Sequence, residues 1–420
     1  MTSPAAVVAE PGPAADRPRA ACRRLLDAYL YGNTVVITLL ALMLALVTGA
    51  ILIVAADQPT RTALGYFFSG PGSAFSAGWR AISANYSALF RGSVFNTNSL
   101  YSNSGIPVLG PISETLTNAT PLILGGLSVG VAFRAGLFNI GGQGQLIAGA
   151  IAAGYVGFAW NLPPFVHVVV AVVAGIIGGA GWGAVVGLLK ARTGAHEVIT
   201  TIMLNYIALY LLDYLLSVSG FQAPTSQQAI SRTVRANARL PHLLGGNLRV
   251  SAGLLIALAA AAGCWWLLSR STLGFRLRAV GANPNAARTA GIRVERNVVI
   301  VMTIAGALAG LAGVTQILGT TTNYTLTGDV DANVGFDAIT VALLGRAKPG
   351  GTVLAGLLFG ALRAGSVEMS ASAQTSPYIV AVMQSVIVLF IAAPSLVRSI
   401  FRLRASRAGG TQELAKGWNG

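Results

Sequence analysis

Long apolar runs separated by short polar punctuation dominate the chain. They fall at 34–56, 115–133, 143–160, 165–189, 198–219, 251–269, 298–318, 352–367 and 377–397, with a shorter one at 334–345. A helix rises about 1.5 Å per residue, so ~20 apolar residues cross a hydrocarbon layer of about 30 Å. The pattern therefore predicts an all-α polytopic membrane protein of about ten transmembrane helices. The eighth run is too short to cross alone without local thinning or a re-entrant path. Polar stretches at 57–114, 221–249 and 270–297 read as the long connections, the first as an external loop with aromatic punctuation and interfacial pieces. The domain reading is a disordered cytoplasmic tail over 1–33, a membrane domain over 34–397 and a cytoplasmic tail over 398–420.

Composition agrees and removes the soluble classes. Hydrophobic residues make up 54% and charged residues 10%, with a mean hydropathy of +0.67, where a soluble domain carries about a quarter charged residues. A net charge of +15 could suggest nucleic acid. The basic residues instead cluster at the ends of apolar runs, the footprint of membrane topology. With both termini inside, 20 of the 28 Lys and Arg fall on the cytoplasmic side. That asymmetry predicts an N-in, C-in chain in the cytoplasmic membrane with an even number of crossings. Segments two to five and seven to ten form two sets of four, and a shift of five segments reverses orientation, so a duplication here would be an inverted repeat. Cys22 and Cys264 are placed too differently for a disulfide, and neither they nor the three histidines offer metal-ligand spacing.

The most informative stretch is 134–151, RAGLFNIGGQGQLIAGAI. Its glycines are too many for a regular helix interior, and after Arg134 it has amides but no charge. One reading is a Gly-broken span lining a route for an uncharged polar solute, since irregular backbone at membrane depth needs protein or a wet cavity around it. The other is a tight turn between two helices, with glycines for close packing. Candidate pathway residues are the neutral amides Asn118, Asn139, Gln143 and Asn205, which can donate and accept, and the rings Phe138, Tyr206 and Phe336, which can stack on a base or sugar. The amides could equally tie helices together. Among charges near the spans, Asp213 reads as interfacial or an ion-coupling group, Asp337 as a cap for the short eighth helix or a solute contact, and Arg363 and Glu368 as a pair or as side chains snorkelling to opposite edges. Gly126–Gly130 matches G-x-S-x-G around Ser128, but no histidine with a following carboxylate is in register to activate it. No phosphate-binding G-x-x-x-x-G-K-[ST] occurs, so any ATP must be bound by another chain.

The loop 271–297 is polar and basic. Asn283 followed by Pro284 predicts a helix start, and Gly291 a stop. A short helix with small Ala286, Ala287 and Ala290, ringed by Arg278, Arg288, Arg293 and Arg296, suits docking into another protein's groove. It would suit lipid headgroups as well.

The segment AVGANPNAARTAGI, from Ala279 through Gly281 to Ile292, resembles the coupling segment of ATP-binding-cassette importer permeases in the branched-chain amino acid, ribose and nucleoside superfamily. RAGLFNIGGQGQ, EVITTIMLNYIALYL and GFDAITVALLGRAKPGG resemble its nucleoside, or simple-sugar, branch. The four motifs occur in the family's order and the match runs from about 115 to 394. His196 and Gln143 depart from the branch, which tends to have asparagine and an acidic residue there. The resemblance implies a type II-like importer permease fold with an inverted repeat. It implies a heterodimer with a second permease, a cytoplasmic ATPase with two nucleotide-binding domains, and an external lipoprotein that delivers substrate. This chain would bind no cofactor, with ATP and Mg on the ATPase. Gly281, Asn283, Pro284, Ala286, Ala287, Arg288, Gly291 and Ile292 would couple to it. Nucleosides are the implied cargo, with ribose or another simple sugar as the alternative. A standalone ion-coupled carrier is the rival class, disfavoured by the few charges at mid-depth.

Overall fold

The computed structural model describes residues 34–96 and 109–402, apart from 225, 244, 246, 247 and 374. The tails read as disordered (1–33) and cytoplasmic (398–420) lie outside the described residues, except for 398–402. Among the described residues fifteen α-helices form: α1 Thr34–Ala56, α2 Gln58–Gly65, α3 Pro71–Ser93, α4 Gly110–Arg134, α5 Gly142–Ala159, α6 Pro164–Thr193, α7 Glu197–Ser217, α8 Gly253–Arg270, α9 Thr272–Ala282, α10 Pro284–Thr289, α11 Val294–Thr315, α12 Val334–Leu344, α13 Pro349–Ala373, α14 Tyr378–Ala392 and α15 Pro394–Ile400. Among the described residues, seven helices are long and apolar enough to cross a membrane: α1, α4, α6, α7, α8, α11 with its extension to Thr320, and α13. The Gly-rich α5 and the shorter apolar α12 and α14 complete the ten segments expected.

The two sets of four interlock reciprocally. The third helix of each set packs along the first helix of the other, α6 on α11 and α13 on α4, and α5 and α12 cross over in the same sense. This exchange is the geometry of an inverted repeat. Small residues make it close. On α6, Ala171, Gly175, Gly179, Gly183 and Gly187 form a buried row at every fourth position. A Cβ on Gly310 of α11 would lie 2.5 Å from the Gly175 carbonyl. At the equivalent contact, a Cβ on Gly360 of α13 would lie 2.7 Å from the Ala119 backbone of α4. With no water to expel from lipid, helices associate by such backbone-to-backbone packing.

The 57–114 segment, read as an external loop with interfacial pieces, holds the helices α2 and α3. Asp57 caps α2 by accepting from Thr60 N–H at 2.9 Å, and Pro71 opens the 23-residue α3. One stripe of α3, Ala74, Ala77, Gly78, Ala81, Asn85 and Ala88, is buried against α13 and α1, and the Tyr86 hydroxyl donates to the Leu46 carbonyl of α1. Residues 97–108 lie outside the described residues. The 221–249 segment is irregular but not loose: Ser231, Val234, Ala238 and Leu240 are buried, and Val234 and Leu240 N–H groups donate to the Tyr324 and Leu318 carbonyls.

The short α12 is bracketed by two pairs of left-handed residues, Ala332 and Asn333 before it and Arg346 and Ala347 after it. Left-handed backbone costs a non-glycine residue roughly 1 kcal/mol. Each pair is held by a distant arginine: Arg363 donates to the Ala332 carbonyl at 2.8 Å and Arg134 to that of Ala347 at 3.0 Å.

Candidate functional site

The starts of α5 and α12 meet inside the bundle, a Cβ on Gly335 lying 2.5 Å from the Gln143 backbone. They belong one to each set of four. The seven residues before α5, 135–141, are non-helical, and neutral amides satisfy them. Asn139 Nδ2 donates to Gln145 Oε1 at 2.9 Å and to Ser128 Oγ at 3.2 Å, while its Oδ1 accepts from Gly141 N–H and Gln145 Nε2. Asn205 of α7 donates to the Ile140 carbonyl at 3.0 Å and accepts from Gly144 N–H at 2.8 Å. Asn139 and Gln145 are fully buried and Asn205 nearly so. Gln143 reaches the other set, donating to Asp331 Oδ2 at 3.0 Å. Asp331 lies in the connection before α12. Burial pushes its carboxyl above the ordinary range, partly offset by the Gln143 amide.

Beside this junction, α12, α13 and α14 enclose a cavity of about 540 Å³, within the range of small-molecule sites. Phe336, Asp337, Thr340, Arg363, Ser366 and Gln384 line it. Asp337 is not the cap expected of it. It sits in the first turn of α12, and Arg363 Nη2 donates to its Oδ2 at 2.6 Å. Arg363 therefore pairs across helices with Asp337 rather than with Glu368 on its own helix. Both side chains of the pair remain partly accessible. Gln384 lines the cavity, while its Nε2 is buried without a hydrogen-bond partner among the described residues.

The structure thus sorts the sequence candidates. Phe336 and Asp337 share the cavity, and Gln143 lies against Gly335, one residue away. Asn139 and Asn205 form a sealed tie. Phe138 packs edge-on against Phe133 at 5.1 Å. Asn118 donates to the Glu114 carbonyl of its own helix. Tyr206 lies on the outer face of α7 with Tyr210 and Tyr214, all half-exposed or more. Ser128 receives its bond from Asn139, while the buried His167 meets the Val156 carbonyl at 3.0 Å, so no nucleophile–base pair forms between them. Arg363, Ser366 and Gln384 are additions. Gln384 carries the same signal as Asn205, an amide inside an apolar run.

At the end of the bundle carrying Arg134, Lys190 and Arg346, a short arm projects. Asn283 caps α10 by accepting from Asn285 and Ala286 N–H at 3.0 and 3.1 Å. Gly291 ends the turn at φ +81°. Only Ala287 of α10 is buried; Asn283, Pro284, Ala286, Arg288 and Gly291 are exposed and Ile292 half-buried. Arg288 pairs with Glu295 at 2.9 Å. The arm is tied to the bundle at Gly281 of α9, where a Cβ would lie 2.7 Å from the Arg134 carbonyl and Ala135 backbone.

A family model described as branched-chain amino acid transport system/permease component matches residues 112–392, a span holding both the α5–α12 junction and the arm. The chain belongs to this permease family. The permease is 40% identical over 293 residues to a guanosine ABC transporter permease protein of Bacillus subtilis, covering 69% of this chain and 83% of the relative. It is 37% identical to a nucleoside ABC transporter permease protein of Lactococcus lactis subsp. cremoris, over 68% and 80% of the two chains. It is also 34% identical to a glucose ABC transporter permease protein of Haloferax volcanii, over 67% and 75%. No solved structure matches. The permease is thus a multi-pass cell-membrane subunit of an ABC importer, and ATP hydrolysis belongs to a separate partner rather than to this chain.

Proposed function

We propose that the permease forms the pathway for ATP-driven nucleoside uptake. The observation that carries this is the cavity of about 540 Å³, which sets the half-exposed ring of Phe336 beside a carboxylate, a guanidinium and an amide. A base has a face to stack and an edge to hydrogen-bond, and the cavity offers a partner for each. The names of the guanosine and nucleoside relatives point the same way. A simple sugar is the second reading, favoured by the glucose relative.

In this reading the basic end is cytoplasmic, with both termini inside. The permease pairs with a second permease above an ATPase that has two nucleotide-binding domains and holds ATP and Mg. An external lipoprotein delivers the solute. The exposed α10 rides in the ATPase cleft. Its tie at Gly281 to the turn after α4 passes ATPase closure to the seven-residue approach to α5. Each ligand drives this only by favouring one conformation over the other.

The test is uptake of labelled guanosine, adenosine or uridine in cells with and without the gene, challenged with excess ribose. Gene-dependent uptake suppressed by unlabelled nucleosides and not by ribose supports the proposal. Suppression by ribose, or no nucleoside uptake, moves the cargo to a sugar.

A further inference from the structure

The turn that the arm touches is also held by α7. We propose that Lys190 and Glu197 are positioning residues for coupling: their ion pair clamps the foot of α7 to this turn, so that ATPase closure moves α7 as well as the approach to α5. This rests on the importer reading above and on the coupling role it gives the arm. Lys190 Nζ donates to Glu197 Oε2 at 2.5 Å, joining the end of α6 to the start of α7. Glu197 also accepts from the Phe138 backbone N–H, so one carboxylate holds three segments. Two more residues of the same stripe follow at four-residue spacing. Thr201 lies against Gly141, where a Cβ would be 3.0 Å from the Thr201 Cβ. Asn205 holds the Ile140 carbonyl and the Gly144 N–H. The turn therefore runs along the first two turns of α7, about 12 Å of helix.

The arm meets the same turn at Ala135 and Gly136. A Cβ on Gly136, whose φ is +73°, would lie 3.0 Å from Gly281 Cα. Leu137 of the turn and Leu277 of α9 are buried in one apolar cluster, with Leu204 of α7 packed against it. Backbone this close cannot yield by a rotamer change. A shift of the arm therefore displaces the turn, and the turn displaces what is bonded to it. Beyond its foot α7 is thinly held: of its later residues only Ala208, Leu212 and Leu216 are buried. A helix with so few buried contacts moves at small cost. A plain helix-dipole role for Glu197 would need a carboxylate in the first turn and nothing else. It would not require that carboxylate to turn inward, where the side chain is only 10% accessible and bonds to Lys190 and Phe138.

The test uses the transporter assembled with its second permease, ATPase and binding protein in proteoliposomes. ATP hydrolysis is read together with uptake of labelled guanosine, or of labelled ribose where cells take up the sugar instead. Glu197→Gln keeps an acceptor for Phe138 but loses the charge that faces Lys190, and Lys190→Met removes the cation. Each should cut uptake about tenfold while ATP hydrolysis stays near wild type, so that more ATP is consumed per solute. Lys190→Arg should keep the wild-type ratio, and Lys190→Met combined with Glu197→Gln should lose no more than either alone. A simple brace would instead lower the melting temperature and reduce both rates in proportion. Proportional losses, or a ratio unchanged in both variants, overturn the proposal. Spin labels at Ile177 and Met203, on the exposed faces of α6 and α7, give a reading that leaves the ion pair intact. With Cys22 and Cys264 replaced, their separation should change when an ATP analogue closes the ATPase; no change overturns the proposal as well. Uptake that survives deletion of Asn283–Ile292 would instead sink the coupling role of the arm, so the two failures are distinct.

Discussion

The two sets of four helices share a scaffold and differ at the point where each begins its second helix. In the first set, the non-helical approach to α5 is closed by Asn139, Gln145 and Asn205, whose amides spend their bonds on each other and on nearby backbone. In the second, the approach to α12 runs through left-handed Ala332 and Asn333, and the helix opens onto a cavity with charged and unmet polar groups. A repeated architecture leaves both helix starts with free N–H groups to satisfy. One copy satisfies them permanently with neutral amides. The other holds its backbone with Arg363 and leaves polar valences over. The first arrangement makes a rigid seat; the second makes a place that can bind and move.

Replacing the seat's amides should therefore damage folding, and replacing the cavity's should damage transport. The largest effect expected is for Asn139→Leu or Asn205→Leu. Each strands several buried polar partners, at about 1–3 kcal/mol apiece, and the folded fraction of the purified permease should collapse in a thermal melt. Gln384→Leu and Thr340→Val should melt like wild type while changing the KM for uptake. Melting loss in the cavity variants with none in the seat variants would reverse the assignment of the two halves.

Next in size is the arm. Deleting Asn283–Ile292 removes α10 and its cap but none of the spanning helices. Nucleoside uptake should fall to background while the protein remains in the membrane fraction. Uptake that stays ATP-driven without those residues would leave the coupling role with no support. A subtler break is Gly281→Val, whose side chain would press on the Arg134 carbonyl and should cut uptake several-fold with α10 intact.

How far the sequence reached follows the same division. The ten apolar segments and the α10 start at Asn283–Pro284 were legible because hydropathy and capping are local. The inverted repeat was legible only as an even pairing of segments; its interlocking lives in contacts between distant glycines such as Gly175 and Gly310. The helices α2 and α3 were missed because their buried stripe is alanine and glycine, which hydropathy barely registers. The spacing of Ala74, Ala77, Gly78, Ala81 and Ala88 did carry the helical period. Asn139 and Asn205 were found as amides in apolar surroundings, but whether an amide faces a neighbour or a cavity is tertiary information. Asp337 and Arg363, 26 positions apart, could be joined only by the fold.

Gln143 links the two halves directly, and its exchange for glutamate sharpens the comparison. The amide donates to the buried Asp331 at any pH. A glutamate there sets two carboxylates about 3 Å apart, and one must hold a proton. The shared proton's pKa is raised above the unfolded values, so its contribution is present in acid and lost as pH rises through that raised value. Gln143→Glu should therefore match wild type at low pH and lose stability and uptake towards neutrality more steeply than wild type, in which Asp331 alone carries a raised carboxyl. A variant no steeper than wild type over the same range would mean that Gln143 and Asp331 do not face each other during transport.

The smallest effect belongs to Ser128, despite its place in a nucleophile-like motif. Its hydroxyl accepts from Asn139 at 3.2 Å, and the same Nδ2 keeps its shorter bond to Gln145 when the hydroxyl is removed. Ser128→Ala then leaves one amide hydrogen unmet in a tie that retains its other bonds. The cost should be about 1 kcal/mol, seen as a small drop in melting temperature with uptake close to wild type. The contrast with Asn139→Leu is the point: the seat depends on the amide at its centre far more than on the hydroxyl at its edge. Complete loss of activity in Ser128→Ala, with normal folding, would give Ser128 chemistry of its own.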